Sequence, residues 1–469
     1  MENVTALLTP KTGSAMPRAL LRWQWLAIFT LASAEASDGP PFEAFRWNEE
    51  YRYLAKKTKP TAYERLKYAP FSTPAVEGYI SIGGSVRSRV NGYNNDLFGL
   101  TEAQDGAQWL QRFYGHADVQ LSDSGRAFFE LSADYADASG DINSGIFDKD
   151  KAAVSQAFFD WQANATRLRL GRQEMALGSA RLLGTRDASN VRRSYDGLRL
   201  DVNHRGTDWR VFYLQEVEVE DGAFDNSSQS DHSVWGITSS WAGTITRADI
   251  YYLGLKRNDA VYVQGIGDET RHSVGARLFG NASSWDWDIE ALYQFGDFAD
   301  SDIRAWTMAS YIGYRFASGL GERRVALSLN IASGDADPED GRLQTFNPMF
   351  PNLAYFEDAA IYAPQNFYNV KPEVIWSVAT KTNIEINWNL FWRLEKGDAV
   401  YVRGLRPLAG TENAAGSFVA HSPSIAVEHQ WSRHLGISLS YSYFFAGDVI
   451  DNAGGKNAAF LKAQAEWKF

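Results

Sequence analysis

Strict period-two alternation constrains this chain more than any other feature of its sequence. In Trp285–Phe295, the residues Trp285, Trp287, Ile289, Ala291, Tyr293 and Phe295 share one face, opposite Asp286, Asp288, Glu290, Leu292 and Gln294. Ile384, Ile386, Trp388, Leu390 and Trp392 likewise oppose Glu385, Asn387, Asn389, Phe391 and Arg393. The pattern recurs at Ala127, Phe129, Leu131, Ala133 and Tyr135, and again at Ile437, Leu439, Tyr441, Tyr443 and Phe445. Successive side chains of a strand point to opposite faces, so each segment is a strand with one apolar and one polar side. About eighteen such segments, give or take two, are predicted near 78–90, 109–121, 126–135, 152–162, 166–174, 194–203, 208–217, 232–241, 247–256, 270–280, 285–295, 303–316, 323–333, 370–379, 383–394, 418–431, 434–446 and 457–469. Most run to roughly ten residues, the length a tilted strand needs to cross a bilayer.

The connections decide between a membrane barrel and a sandwich in water. Tight links (Ser122–Gly125, Ala163–Ala165, Asn281–Ser284, Thr380–Thr382) alternate with long ones (Asn91–Gln108, Gly334–Asn369, Glu395–Ser417), and the alternation is expected to be strict. Transmembrane barrels have short periplasmic turns and long outer loops, whereas a sandwich has no reason to gather its long loops at one end. Lipid offers backbone groups no hydrogen-bond partner, so the sheet must close on itself. The predicted fold is therefore all-β, an antiparallel up-and-down transmembrane barrel over residues 78–469, with both termini in the periplasm. Eighteen strands are too many for inward side chains to fill the interior, and an aqueous, polar lumen is expected.

Composition agrees. Aromatic residues make up 14 % of the chain and charged residues 22 %, and the mean hydropathy is −0.34. Past the N-terminus no stretch approaches the ~20 apolar residues of a spanning helix. Trp161, Trp209, Trp241, Phe279, Trp285, Tyr314, Phe316 and Trp431 gather toward the short-turn ends, as expected of an aromatic girdle at the headgroups. Residues 18–36, with Arg18 and Arg22, an apolar core from Leu20 to Leu31 and small residues Ala32 to Ala34, have the pattern of a secretory signal peptide. The signal is assigned to residues 1–36, with Met16 as an alternative start, and a lead rich in Pro and charge to 37–77, with a small helix around Trp47–Lys57. The last strand ends on Phe469, the form of sorting signal read by the outer-membrane barrel assembly machinery. The expected surroundings are the lipid and lipopolysaccharide of a Gram-negative outer membrane. The absence of cysteine rules out thiolate metal sites and a cysteine nucleophile, and the net charge of −11 argues against nucleic acid.

Charges on the inward face then set what crosses. Parity places Arg87, Arg89, Arg112, His116, Arg167, Arg169, Arg199, Arg210, Arg277 and Lys371 toward the lumen, together with acids that include Asp118, Glu130, Asp134, Asp160, Asp201, Asp286, Asp288, Glu290, Glu373 and Glu385. Arg167–Arg210 holds ten Arg against five acids in an otherwise acidic protein, and reads as an anion-attracting stretch. Arginine suits that role because it stays charged and grips carboxylates through two parallel bonds. The plainer reading pairs the same arginines with lumen carboxylates to satisfy both. The acids Asp335, Asp337, Glu339 and Asp340 read better as a solvated loop than as a Ca²⁺ site, and the seven scattered His suggest no zinc. No metal, cofactor or catalytic residue is expected. His272 and His429 have lipid-facing parity without a serine partner, so no enzyme is expected either.

Three segments resemble the alginate export porin family. Residues 46–71, RWNEEYRYLAKKTKPTAYERLKYAPF, resemble its lead and run into YISIGGSVRSRV at its first strand. Residues 171–197, GRQEMALGSARLLGTRDASNVRRSYDG, resemble its most characteristic stretch, and TFNPMFP at 345–351 its long-loop motif. The resemblance implies an eighteen-stranded barrel with an arginine-rich pore that passes an anionic polysaccharide outward. By motif it makes Arg87, Arg89, Arg172, Arg192 and Arg193 pore or pore-mouth residues, although the first strand reads RSRV where the family commonly has an acid near its second Arg. Two alternatives stay open. One is a general porin or one for small organic anions; the other is a structural or adhesion barrel plugged by Gly334–Asn369 and the lead. That loop carries four prolines with Phe346, Phe350, Tyr355 and Phe356, and is expected to fold into or over the mouth.

Overall fold

Inward and outward side chains separate cleanly because one face of every strand meets lipid. The computed structural model describes residues 39–469 apart from 75, 103 and 320, so the signal expected over 1–36 lies outside the described residues. Eighteen antiparallel strands form the wall. They are β1 (Glu77–Asn94), β2 (Gly106–Leu121), β3 (Gly125–Gly140), β4 (Asp150–Ala163), β5 (Thr166–Gln173), β6 (Tyr195–His204), β7 (Thr207–Glu218), β8 (Ser227–Ala242) and β9 (Thr246–Tyr262). They continue through β10 (Gly265–Ala282), β11 (Trp285–Phe298), β12 (Ser301–Ser318), β13 (Gly321–Ala332), β14 (Phe367–Ala379), β15 (Thr382–Trp392), β16 (Phe418–Gln430), β17 (Leu435–Ala446) and β18 (Ala458–Lys468). β1 pairs with β18 from Ser85↔Lys468 to Asn94↔Ala459 and closes the sheet. Every predicted strand is present.

Outward positions are those the alternation assigned. Ile386, Trp388 and Leu439 are 53, 49 and 50 % exposed, while Asn387 and Asn389 beside them are buried. Trp161, Trp209, Trp241, Trp285, Tyr314, Phe316 and Trp431 form an outward aromatic band near the short turns. Phe279 does not belong to it. It shares the inward parity of Arg277, whose guanidinium lies 4.0 Å from its ring.

The alternation of long and short connections is not strict. On the long-loop side, β9–β10 and β11–β12 are joined by two-residue turns at 263–264 and 299–300. These strands run on past the apolar band, where both faces meet water and the period-two signal fades. Strand pairing nevertheless continues to Tyr262↔Gly265 and Phe298↔Ser301. The remaining outer loops stay long, so an epitope tag at Glu339 should be labelled on intact cells and one at Ser283 should not. Labelling of Ser283 alone would invert the topology.

The lumen is not an empty tube. Residues 174–194 and 333–366, the links β5–β6 and β13–β14, fold inward and meet at a bridge between Leu183 and Phe350. Phe346, Met349, Phe350, Phe356 and Tyr362 of the second loop join one buried cluster with Leu253, Leu255, Leu292, Phe391 and Phe444 of the wall. The polar lumen inferred from strand number therefore holds for part of the interior only. Where loops pack, inward positions are apolar, because two surfaces that exclude water stabilise each other by apolar burial.

Candidate functional site in the lumen

A turn at residues 187–190, the inner end of the 174–194 loop, is clamped to β1 and β2 by three inward arginines. Arg87 donates to the carbonyls of Asp187 and Ser189, both at 2.8 Å. Arg89 donates to the carbonyl of Ala188 and, at 2.8 Å, to Gln464 Oε1 on β18. Arg112 reaches the carbonyls of Asn190 at 2.7 Å and Ser189 at 2.6 Å, and the Asp187 carboxylate at 2.6 Å. Asn190 fixes the far end of the turn by donating to the carbonyls of Gln111, Tyr135 and Asp148. A guanidinium carries five donors in a fixed fork, so one arginine can hold several carbonyls of a turn with no secondary structure of its own. Donors spent on carbonyls neutralise no charge. Among the described residues, Arg89 has no carboxylate within ion-pair distance.

Asp187 is the exception within the clamp. Its carboxylate lies 2.6 Å from Arg112, 3.6 Å from Arg192 and 3.8 Å from Arg87, yet its side chain is 56 % exposed. Three guanidinium groups thus surround one carboxylate that is still open to the lumen.

The other sequence candidates sit in ion pairs or at the rim. Arg169 grips Asp160 through two bonds of 2.7 Å, Arg199 pairs with Asp201 at 2.8 Å, and Lys371 with Glu373 at 2.9 Å. Arg277 bonds Asp288 at 2.9 Å, Arg192 pairs with Glu174 at 2.8 Å, and Arg193 with Glu216 at 2.9 Å. Arg167 reaches Gln162, at 3.5 Å. Arg172 is not in the lumen. It pairs across the ladder with Ala157 and Asp196, which share the outward parity of Phe159 and Leu198, and it bonds Asp196 at 2.8 Å on that face. The motif that suggested it carries no record of the strand's parity. Arg181 was missed: from the inward loop it reaches Glu290 at 2.7 Å, Asp288 at 3.1 Å and the Tyr355 hydroxyl at 3.0 Å. Its place in the Arg-rich stretch was the available signal.

The lead closes part of the periplasmic end from inside. Instead of one helix around Trp47–Lys57 it has two 3-10 turns, Arg46–Asn48 and Arg52–Lys56, followed by helix α1 (Ala62–Lys67), whose capping box joins Thr61 and Glu64. Trp47 packs edge-on against the inward rings of Phe128 and Phe158, 5.9 and 5.5 Å away, with Arg169 4.8 Å above it. Arg46 donates to the carbonyls of Gly84 at 3.0 Å and Phe469 at 2.8 Å, tying the lead to the seam of the barrel.

Lys67 is fully buried beside the rings of Phe42, Tyr51 and Tyr63. It lies against Gly83, where a Cβ would come within 2.6 Å of its ammonium and of His116. Burial, aided by Arg46 and Arg433 and opposed by Glu49 and Asp118, pushes the Lys67 ammonium down to about 7 from its usual 10.5. The packed lead therefore favours neutral Lys67. Docking should weaken as pH falls from 10.5 towards 7 and level off below that, where the ammonium is charged in both states. Proteolysis of the lead should follow this window, and Lys67→Met should flatten it; an unchanged pH profile in that variant would assign the dependence elsewhere.

The fold and the sequence have relatives. Porins of Pseudomonas share the barrel at low identity. OccK2 (OpdF) of Pseudomonas aeruginosa matches with a TM-score of 0.58 at 10 % identity, over 83 % of this chain and 97 % of that one. Its structure in complex with glucuronate matches with a TM-score of 0.55 at 10 % identity, over 83 % and 98 %. A BenF-like porin from Pseudomonas fluorescens matches with a TM-score of 0.56 at 9 % identity, over 83 % and 99 %. No curated protein matches the sequence significantly. The family model described as alginate export matches residues 78–464, the barrel almost from end to end. Closed barrel, porin-like neighbours and that match agree, and the chain belongs to the alginate export family as a β-barrel channel of the outer membrane.

Proposed function

We propose that the channel conducts a carboxylate-bearing carbohydrate, a polyuronate or an oligomer of one, and selects it at the arginine clamp. The observation that carries this reading is Asp187, a half-exposed carboxylate held among Arg87, Arg112 and Arg192. It occupies the position a passing carboxylate would take, so solute and Asp187 would exchange on the same guanidinium groups with little change in local charge. Arg89, with no carboxylate within ion-pair distance among the described residues, favours the incoming anion. Such a site binds each sugar long enough to select it and releases it because the internal carboxylate returns.

Asp187→Asn tests this directly. It removes one negative charge from the clamp, so anion preference in a salt gradient should rise and block by added polyuronate should need several-fold less polymer. Polyuronate block and reversal potential both equal to those of the parent would leave Asp187 a structural partner only.

A second reading has its own support. The inward loops and the lead narrow the lumen, which favours a small organic anion over a polymer, and one of the neighbouring porins was solved with glucuronate, a single uronate ring. A length series separates the two: if monomeric uronate crosses in liposome swelling while oligomers neither cross nor block, the small-anion reading stands.

A further inference from the structure

The wall formed by β11–β14 carries a second polar constellation that the clamp does not use. Here a cavity of about 400 Å³ lies between the strands and the inward loop, within the ~300–1,000 Å³ range of small-ligand sites. Tyr355 of the inward loop forms part of its boundary, and its hydroxyl is fixed between Arg181 at 3.0 Å and Asn330 at 3.1 Å. Asp286 and Arg315, one residue from the outward Trp285 and Tyr314 of the aromatic band, place its other end toward the short turns, hence the periplasm.

Five charges of alternating sign line the wall, Arg315, Asp286, Arg324, Glu373 and Lys371. Arg324 bonds Asp286 at 2.6 Å and Glu373 at 3.2 Å, and Glu373 receives Lys371 at 2.9 Å. These groups are not saturated. An ammonium has three donors and a carboxylate about four acceptor sites, whereas Lys371 makes one ion pair and Glu373 two. The side chains of Arg324, Lys371 and Glu373 keep 15, 15 and 13 % of their surface open. Tyr311 adds a ring to the same wall, 5.3 Å from the Arg324 guanidinium. Donors, acceptors and aromatic surface thus converge in one concave place.

We propose that this cavity is a periplasm-facing subsite for one uronate ring of the solute. The inference rests on the carbohydrate reading above and adds where the solute is first held. A pyranose ring has an apolar C–H face and a rim of hydroxyls, and a uronate adds one carboxylate. The rings of Tyr311 and Tyr355 take the face. Lys371 and Arg324 take the carboxylate, and Glu373 accepts from the hydroxyls. A purely apolar ligand would strip water from five charges and repay none of it.

The experiment is single-channel recording on the full barrel in a planar bilayer, with trigalacturonate added to the short-turn side. Lys371→Met removes one charged donor, and Tyr311→Leu removes the ring while keeping an apolar side chain. Each should weaken block from the short-turn side about tenfold, the loss expected for one charged hydrogen bond or its stacking equivalent. Block from the loop side and the effect of Asp187→Asn should persist. Folding is checked by unblocked conductance and gel mobility before heating. If both variants, properly folded, are blocked from the short-turn side as the parent is, the subsite is overturned and the clamp reading stands. If trigalacturonate blocks the parent from neither side, the carbohydrate reading falls and the subsite with it.

Discussion

Changing Arg87 and Arg112 together to Gln will loosen the 187–190 turn and swing the channel's reversal potential in a salt gradient towards cations. The two side chains supply most of the bonds that hold the turn to β1 and β2, four of them to carbonyls between 2.6 and 2.8 Å. Breaking a buried charged contact typically costs about 3–5 kcal/mol, so the turn should detach and conductance should rise. Selectivity follows from charge. The protein carries −11 overall, but the Debye length at physiological salt is about 8 Å, so only charges next to the constriction act strongly on a passing ion. Two positive charges leave, while Asp187 remains. The Lys pair at the same positions separates grip from charge, since lysine keeps the charge and lacks the planar fork. The Lys variant should raise conductance and leave selectivity near that of the parent. A Gln variant with the parent's reversal potential would remove the clamp from any account of selectivity.

The arginines also show which part of the site was legible in the sequence. Strand parity put Arg87, Arg89 and Arg112 on the inward face, because lipid on the other side leaves no choice of face. It could not show that they hold the backbone of residues 187–190, about a hundred positions away. Nor could it separate them from Arg169, Arg193 and Arg199, each paired with a carboxylate of the wall. Neutralising those three would strand Asp160 and leave Asp201 and Glu216 to Arg210 and Arg186, so it would report on pairing as much as on selectivity. Net charge along the sequence counts both kinds alike; only the partner distinguishes them.

Strand ends and loop placement were less legible, for related reasons. Arg257, Asn258 and Asp259 look like a loop, because above the apolar band both faces of a strand are polar. The ladder nonetheless resumes at Ala260↔Gly267 after a bulge. For the inward loop there was an unused signal. Leu292 and Phe391 interrupt otherwise polar inward faces, and both lie in the cluster that receives the loop. An apolar residue on a lumen face marks where something other than water sits.

Excising residues 340–362 and closing the gap with a short Gly-Ser link will raise single-channel conductance several-fold while the barrel still assembles. Closure is geometrically simple, since β13 and β14 are adjacent and Ala332 faces Phe367 across the ladder. The wall should survive because its backbone bonds run strand to strand, and only the outer end of β12 bonds to the excised segment, where Asp302 donates to the Gly341 carbonyl at 3.1 Å. The cost falls inside, where Leu253, Leu255, Leu292, Phe391 and Phe444 would face water. A milder change isolates that packing. Phe356 meets Phe367 and Phe391 edge-on at 5.2 and 5.1 Å, and its carbonyl accepts from Asn389 at 3.0 Å. Phe356→Ala should weaken loop docking by about 3–5 kcal/mol, the usual range for a buried Phe→Ala. The expected signature is flicker between the parent conductance and the larger conductance of the excised channel, with faster proteolysis of the loop and unchanged denaturant resistance of the barrel. If the excised barrel, correctly assembled, conducts no better than the parent, the loop does not obstruct the path. The constriction would then lie at the arginine clamp and the lead alone.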